Sequence, residues 1–115
     1  MNLETTILYR PVGSKELALI AASGFREFPL GLPEQPIFYP VLDVKYAAQL
    51  ARSWNAPAYG AGFVTRFAVN DEFLIRYDVR VVGSRQHREY WIPAEDLDEL
   101  NRNIVGEIEV IESYP

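Results

Sequence analysis

The sequence predicts one α+β domain built on mixed, mainly antiparallel β-sheets. Three observations lead there. The chain has 115 residues, the size of a single domain. Hydrophobic residues make up 49% and charged residues 23%, the balance of a globular core and not of a disordered chain. Helix-spaced segments fall early and strand-like segments fall late, without the regular alternation of a doubly wound parallel sheet. The expected order is β-α-β-α-β-(α)-β-β-α-β over 1–115, with two helices in the N-terminal half and one short helix near the C-terminus.

The elements follow from local patterns. Thr5 to Arg10 is β-branched and aromatic, which suits a strand. Ser14 is expected to cap a helix to about Ser23, with Leu17, Ala18, Ile20 and Ala21 as its apolar stripe and Gly24 ending it. Phe25 to Pro36 holds Pro29, Gly31, Pro33 and Pro36, so it reads as a loop. Ile37-Phe38-Tyr39 is a short strand ended by Pro40. Asp43 caps a second helix with Val44, Ala47, Ala48, Ala51 and Trp54 facing inward, and Asn55-Ala56-Pro57 stops it. Gly62 to Val69 alternates: Phe63, Thr65, Phe67 and Val69 face one way, Val64, Arg66 and Ala68 the other. Asn70 to Arg76 is a helical turn or two. Tyr77 to Val82 and His87 to Ile92 form a hairpin around Gly83-Ser84. Pro93 opens a short acidic helix, Ala94 to Asn101, and Ile104 to Ile111 closes the chain as a strand.

Composition removes whole classes of chemistry. There is no cysteine, so disulfides, thiol nucleophiles and thiolate metal sites are excluded. His87 is the single histidine, which excludes a multi-histidine metal site within one chain. The net charge is −5, and the acidic excess lies after residue 86. Such a surface repels phosphate backbones, so general nucleic-acid binding is not expected. Arg76, Arg80, Arg85 and Arg88 form a local exception, read either as solvated, salt-bridged arginines or as an anion site. No apolar run approaches the ~20 residues that span a bilayer. Met1 to Arg10 has neither a basic nor an apolar signal region, so no membrane association and a cytoplasmic location are the expectation.

Few residues can carry chemistry. Strand alternation puts His87, Glu89 and Trp91 on one face. Glu89 is then either a carboxylate in a polar cleft or an edge-strand residue paired with an arginine across the hairpin. His87 is a base, a ligand or a switch, or a structural residue. Arg10 ends the first strand before Pro11 and Gly13, placed to hold an anion or to form an ion pair. Tyr39 can stack on a flat ring or pack in the core. Trp54 and Trp91 read as core residues. Glu95, Asp96, Asp98 and Glu99 lack the spacing of a metal loop and suit a solvated helix face.

In order, these segments resemble the ADP-ribosyltransferase fold. Leu8-Tyr9-Arg10 looks like its first-strand Tyr-Arg pair, and Glu16-Leu17 through Ser23-Gly24 like its first helix. Ile37-Phe38-Tyr39, Lys45-Tyr46-Ala47, Glu89-Tyr90-Trp91-Ile92-Pro93 and the closing segment from Asn103 to Val110 continue the likeness over about residues 6–111. The chain is also similar to small bacterial proteins labelled "ADP-ribosylation/crystallin J1". The resemblance implies NAD as the substrate cofactor and no metal. It implies that Glu89 is the catalytic carboxylate, that Tyr9, Arg10, Tyr39 and His87 are the cofactor-binding residues, and that Arg10 binds NAD phosphate or ribose. Tyr39 would lie at the nicotinamide pocket. His87 stands where protein-modifying members carry the Glu or Gln that engages the acceptor. Ser-Thr-Ser is absent from the second strand, and Pro11-Val12-Gly13 displaces the expected glycine.

The resemblance implies transfer of ADP-ribose from NAD to an unknown acceptor, with release of nicotinamide. Phe25 to Pro36 is the segment expected to meet that acceptor. The alternatives are a non-catalytic nucleotide- or anion-binding module of the same fold, and an inhibitor-like protein using the acidic surface of Glu95, Asp98 and Glu99 against a basic partner.

Overall fold

The computed structural model describes residues 4–30, 36–85 and 87–115. The chain runs β1 (Thr5–Gly13), α1 (Ser14–Ala22), β2 (Ile37–Phe38), α2 (Val44–Leu50), a π-helical turn (Ala51–Asn55) and α3 (Ala56–Tyr59). It continues with β3 (Gly62–Asn70), α4 (Asp71–Leu74), β4 (Val79–Val81), β5 (Arg88–Tyr90), β6 (Ile92–Pro93), a 3-10 turn (Ala94–Asp96), α5 (Leu97–Arg102) and β7 (Ile104–Tyr114). The fold is α+β, and the pairings among the described strands are antiparallel.

β3 is the central strand, with β1 and β7 on either side. Its alternation gives it a broad apolar face of Phe63, Phe67 and Val69 and a smaller one at Val64, so both of its faces are partly covered. A single residue, Val41, joins the β4–β5 hairpin to this sheet. It exchanges backbone hydrogen bonds with Tyr9 at 2.8 and 2.9 Å and forms a bridge with Glu89. On either side of it, Leu42 N–H donates to the Arg88 carbonyl and Tyr90 N–H to the Pro40 carbonyl.

Alternation then sorts the side chains onto two faces. Leu8, Val12, Phe67 and Val69 face one side and pack with Ile20 of α1, Phe28, Phe38, Tyr90, Ile92, Leu100 of α5 and Ile108. The buried Asn101 supports this core: its amide accepts from Phe28 N–H at 2.9 Å and donates to Phe28 O at 3.0 Å. The other face is smaller, formed by Val41 and Val64 beneath Ala47 and Ala51.

The second helix packs this closely because Gly62 has no side chain. A Cβ there would stand 2.1 Å from the Ala51 carbonyl oxygen and 3.1 Å from Ala56 N. Ala51 O and Ala56 N–H are the two ends of the π-turn hydrogen bond. The bare backbone of β3 thus lies directly against that widened turn, which makes glycine obligatory.

Several local expectations are corrected. Gly13, not Ser14, is the residue before α1, and it makes no side-chain cap. Ser23 instead turns its hydroxyl back to the Ile20 carbonyl at 2.6 Å. Asn55-Ala56-Pro57 does not end the second helix. The π turn carries it into α3, where Pro57 occupies the first turn and so blocks no hydrogen bond. Trp54 is 72% exposed, because the π turn rotates it off the apolar stripe. The helix count is higher than expected, since α3 is added after the π turn, while α4 is the helical turn expected between Asn70 and Arg76. The hairpin strands are shorter than read, and Ile92 leaves the hairpin to pair with Phe38. β7 runs on to Tyr114. Residues 31–35 of the loop expected to meet an acceptor lie outside the described residues. No helix is long and apolar enough to cross a membrane.

Candidate functional site

Glu89 lies at the middle of β5, with Arg80 opposite it on β4 and Val41 on its other side. It is only 7% exposed. Its Oε1 accepts from the Tyr46 hydroxyl at 3.1 Å, and its Oε2 from the Trp91 indole N–H at 2.9 Å. A buried carboxylate is tolerated only with such partners, and each oxygen retains a second lone pair. One donor is local to Glu89 and the other comes from a distant helix. Trp91 lies two residues on, hence on the same side of the strand. Tyr46 stands in the first turn of α2, where the Asp43 carboxylate accepts from Lys45 N–H at 2.7 Å and Tyr46 N–H at 3.2 Å. That cap sets the start of the helix and so the height of Tyr46 above the sheet.

The Tyr46 hydroxyl is pushed above its ordinary pKa of 10.0, first by burial and then by the charge and hydrogen bond of Glu89. It therefore stays a donor throughout the neutral range. The His87 ring stacks on the Tyr46 ring at 4.1 Å, tilted by 8°. Trp91 meets the edge of Tyr39 at 6.1 Å, and the Arg80 guanidinium sits 4.7 Å over the Trp91 ring. Tyr39 and Trp91 are 41% and 40% exposed, so two aromatic surfaces open to solvent beside the carboxylate.

Of the residues expected at the site, Tyr39, His87 and Glu89 come together here. Tyr9 shares their face through the Tyr9–Val41–Glu89 register, about 10 Å from Glu89 at two strand spacings. Arg10 does not join them. It follows Tyr9 in β1, so its side chain takes the opposite face of the sheet. There it is 7% exposed and lies 4.3 Å from the centre of the Phe38 ring. It donates to Glu16 of α1 through Nε at 2.7 Å and Nη2 at 3.0 Å. The expectation that Arg10 and Glu89 converge on one cleft is thus corrected, and strand parity is the reason.

Tyr46 and Arg80 are the members that the sequence did not assign to the site, and Trp91, expected on the face of Glu89 but read as core, is 40% exposed and donates to Glu89. The signal for Tyr46 was its place three residues after a capping Asp. The signal for Arg80 was its place across the hairpin from Glu89. Among the described residues, no group of three or more His, Asp or Glu side chains is placed to hold a metal ion. Comparison with family models, with curated proteins and with solved structures gave no match.

Proposed function

We propose that the chain is an NAD-using ADP-ribosyltransferase with Glu89 as its catalytic carboxylate. One observation carries the reading: a buried, doubly anchored carboxylate stands beside two half-open aromatic rings. The reaction needs such a group. The bond between nicotinamide and the anomeric carbon breaks, and nicotinamide leaves with the electron pair. Positive charge then develops at that carbon, and a carboxylate held in place stabilises it without reorganising. The acceptor supplies the new bond and releases a proton. Tyr46 and Trp91 hold Glu89 in position, and Tyr39 and Trp91 offer faces on which a flat ring stacks. Arg10 has no part in this step, since it ties β1 to α1 from the other side of the sheet.

The test is nicotinamide release from NAD, with cell lysate supplied as a source of acceptors. Wild-type protein releases nicotinamide, and Glu89→Gln lowers the rate by ~10²–10³ while keeping the circular dichroism of the folded protein. Absence of release from wild type overturns the reading. The burial of Glu89, with both oxygens already engaged, favours one second reading: a module that binds the nucleotide without cleaving it. It predicts stabilisation by about 2.7 kcal/mol at 100 times the dissociation constant of NAD or ADP-ribose, with no release.

A further inference from the structure

Arg80 and Glu89 face each other directly on β4 and β5. An arginine and a glutamate so placed ordinarily form an ion pair, since their Cβ atoms are ~5 Å apart. Here they do not. Both Glu89 oxygens are taken by Tyr46 and Trp91, and the Arg80 guanidinium sits over the Trp91 ring, 4.7 Å from its centre. Among the described residues, no carboxylate lies within salt-bridge distance of Arg80. Trp91 thus performs two tasks. Its N–H holds the carboxylate, and its ring face holds the guanidinium of an exposed arginine. Arg10, by contrast, is committed to Glu16 on the far side of the sheet.

We propose that Arg80 is the anion-recognition residue of the Glu89 site, and that its ligand carries a phosphate group next to the ribose that Glu89 faces. The inference rests on the NAD reading given above. A guanidinium fork pairs with phosphate oxygens through two parallel bonds, and its contact with Trp91 pre-orients it for that geometry. The site then reads three features around one hairpin: a hydroxyl-bearing sugar at Glu89, a flat ring at Trp91 and the neighbouring Tyr39, and a phosphate at Arg80. Arg80 becomes the residue that separates a nucleotide from its unphosphorylated nucleoside.

The chain has two tryptophans, so a Trp54→Phe background leaves Trp91 as the sole indole and a reporter at the site. ADP-ribose and nicotinamide riboside are titrated against its fluorescence, with Arg80 intact and with Arg80→Gln or Arg80→Lys. Arg80 is exposed, so neither change disturbs the core. Arg80→Gln is expected to weaken ADP-ribose binding by about 10- to 100-fold, as expected for a charge-assisted hydrogen bond. Arg80→Lys recovers part of the loss, and added salt narrows the difference. Nicotinamide riboside, which lacks phosphate, binds all three proteins alike. Equal ADP-ribose affinity in Arg80→Gln, or no ADP-ribose binding at all, overturns the inference. The two proposals fail separately: Arg80-dependent binding without nicotinamide release removes only the enzyme. Release with an unchanged KM for NAD in Arg80→Gln removes only the role of Arg80.

Discussion

Replacing Gly62 by alanine adds one methyl group where β3 meets the π turn. That carbon would stand 2.1 Å from the Ala51 carbonyl oxygen and 2.9 Å from its carbon, both backbone atoms. Carbon and oxygen do not approach so closely, so the turn must lift off the sheet by about 1 Å. A gap of that size forfeits a quarter to a half of each dispersion contact across the face. The residues affected are the fully buried Ala47 and Ala51 against Val64 and Val41. Overpacking usually costs about 1–3 kcal/mol, and a backbone collision belongs at the upper end. At about 4 °C per kcal/mol for a domain of this size, Tm falls by about 10 °C or more. Gly13→Ala is the control. Its Cβ would meet Cδ2, Cγ and Cβ of Tyr59 at 2.8, 2.9 and 3.0 Å, atoms of a side chain that is 63% exposed rather than of a packed backbone. Surface α3 gives way more easily than the buried π turn, so its cost stays at the lower end of the overpacking range, about 1 kcal/mol. Thermal unfolding followed by circular dichroism measures both. Equal Tm losses for the two variants would refute the close packing of helix on strand from which Tyr46 reaches Glu89.

Two further outcomes follow from the buried polar groups. Asn101→Ala leaves the N–H and carbonyl of Phe28 without their partners and is expected to lower stability by about 2–4 kcal/mol in urea unfolding; a loss below 1 kcal/mol would contradict the role of this clamp. Tyr77 is pushed up to about 12 by burial first and then by its hydrogen bond to Asp96. A folded pKa above the unfolded 10.0 gives stability that is complete below pH 10 and fades as pH rises towards 12. Urea midpoints of wild type and Tyr77→Phe should therefore converge across that window, and parallel pH curves would exclude the contact.

The class of fold was legible because alternation and capping are local. Asp43, Gly24 and the Phe63–Val69 pattern each announced an element without help from distant residues, and each holds in the structure. The π turn was not legible. Pro57 reads as a stop from sequence, yet it is harmless in the first turn of a helix restarted by a π-type hydrogen bond. The lone bridge at Val41 was equally hidden, since one residue carries no periodicity. It is Val41 that sets the register between Tyr9 and Glu89. That register decides which face each candidate residue takes, so the placement of Arg10 depended on a long-range pairing that the sequence leaves open. Glu89 was found because its neighbours His87 and Trp91 lie two residues away on the same strand. Tyr46, 43 positions before Glu89 in sequence, could reach it only through the packing of α2 on the sheet.

The central claim is that chemistry occurs at Glu89, on the face opposite Arg10. A crystal structure with bound ADP-ribose tests it most directly. A ribose hydroxyl within ~3.2 Å of a Glu89 oxygen, the hydrogen-bond range, with the ligand against Tyr39 and Trp91, is the result predicted. ADP-ribose seated instead on the other face, against Arg10 and Glu16, would contradict the account.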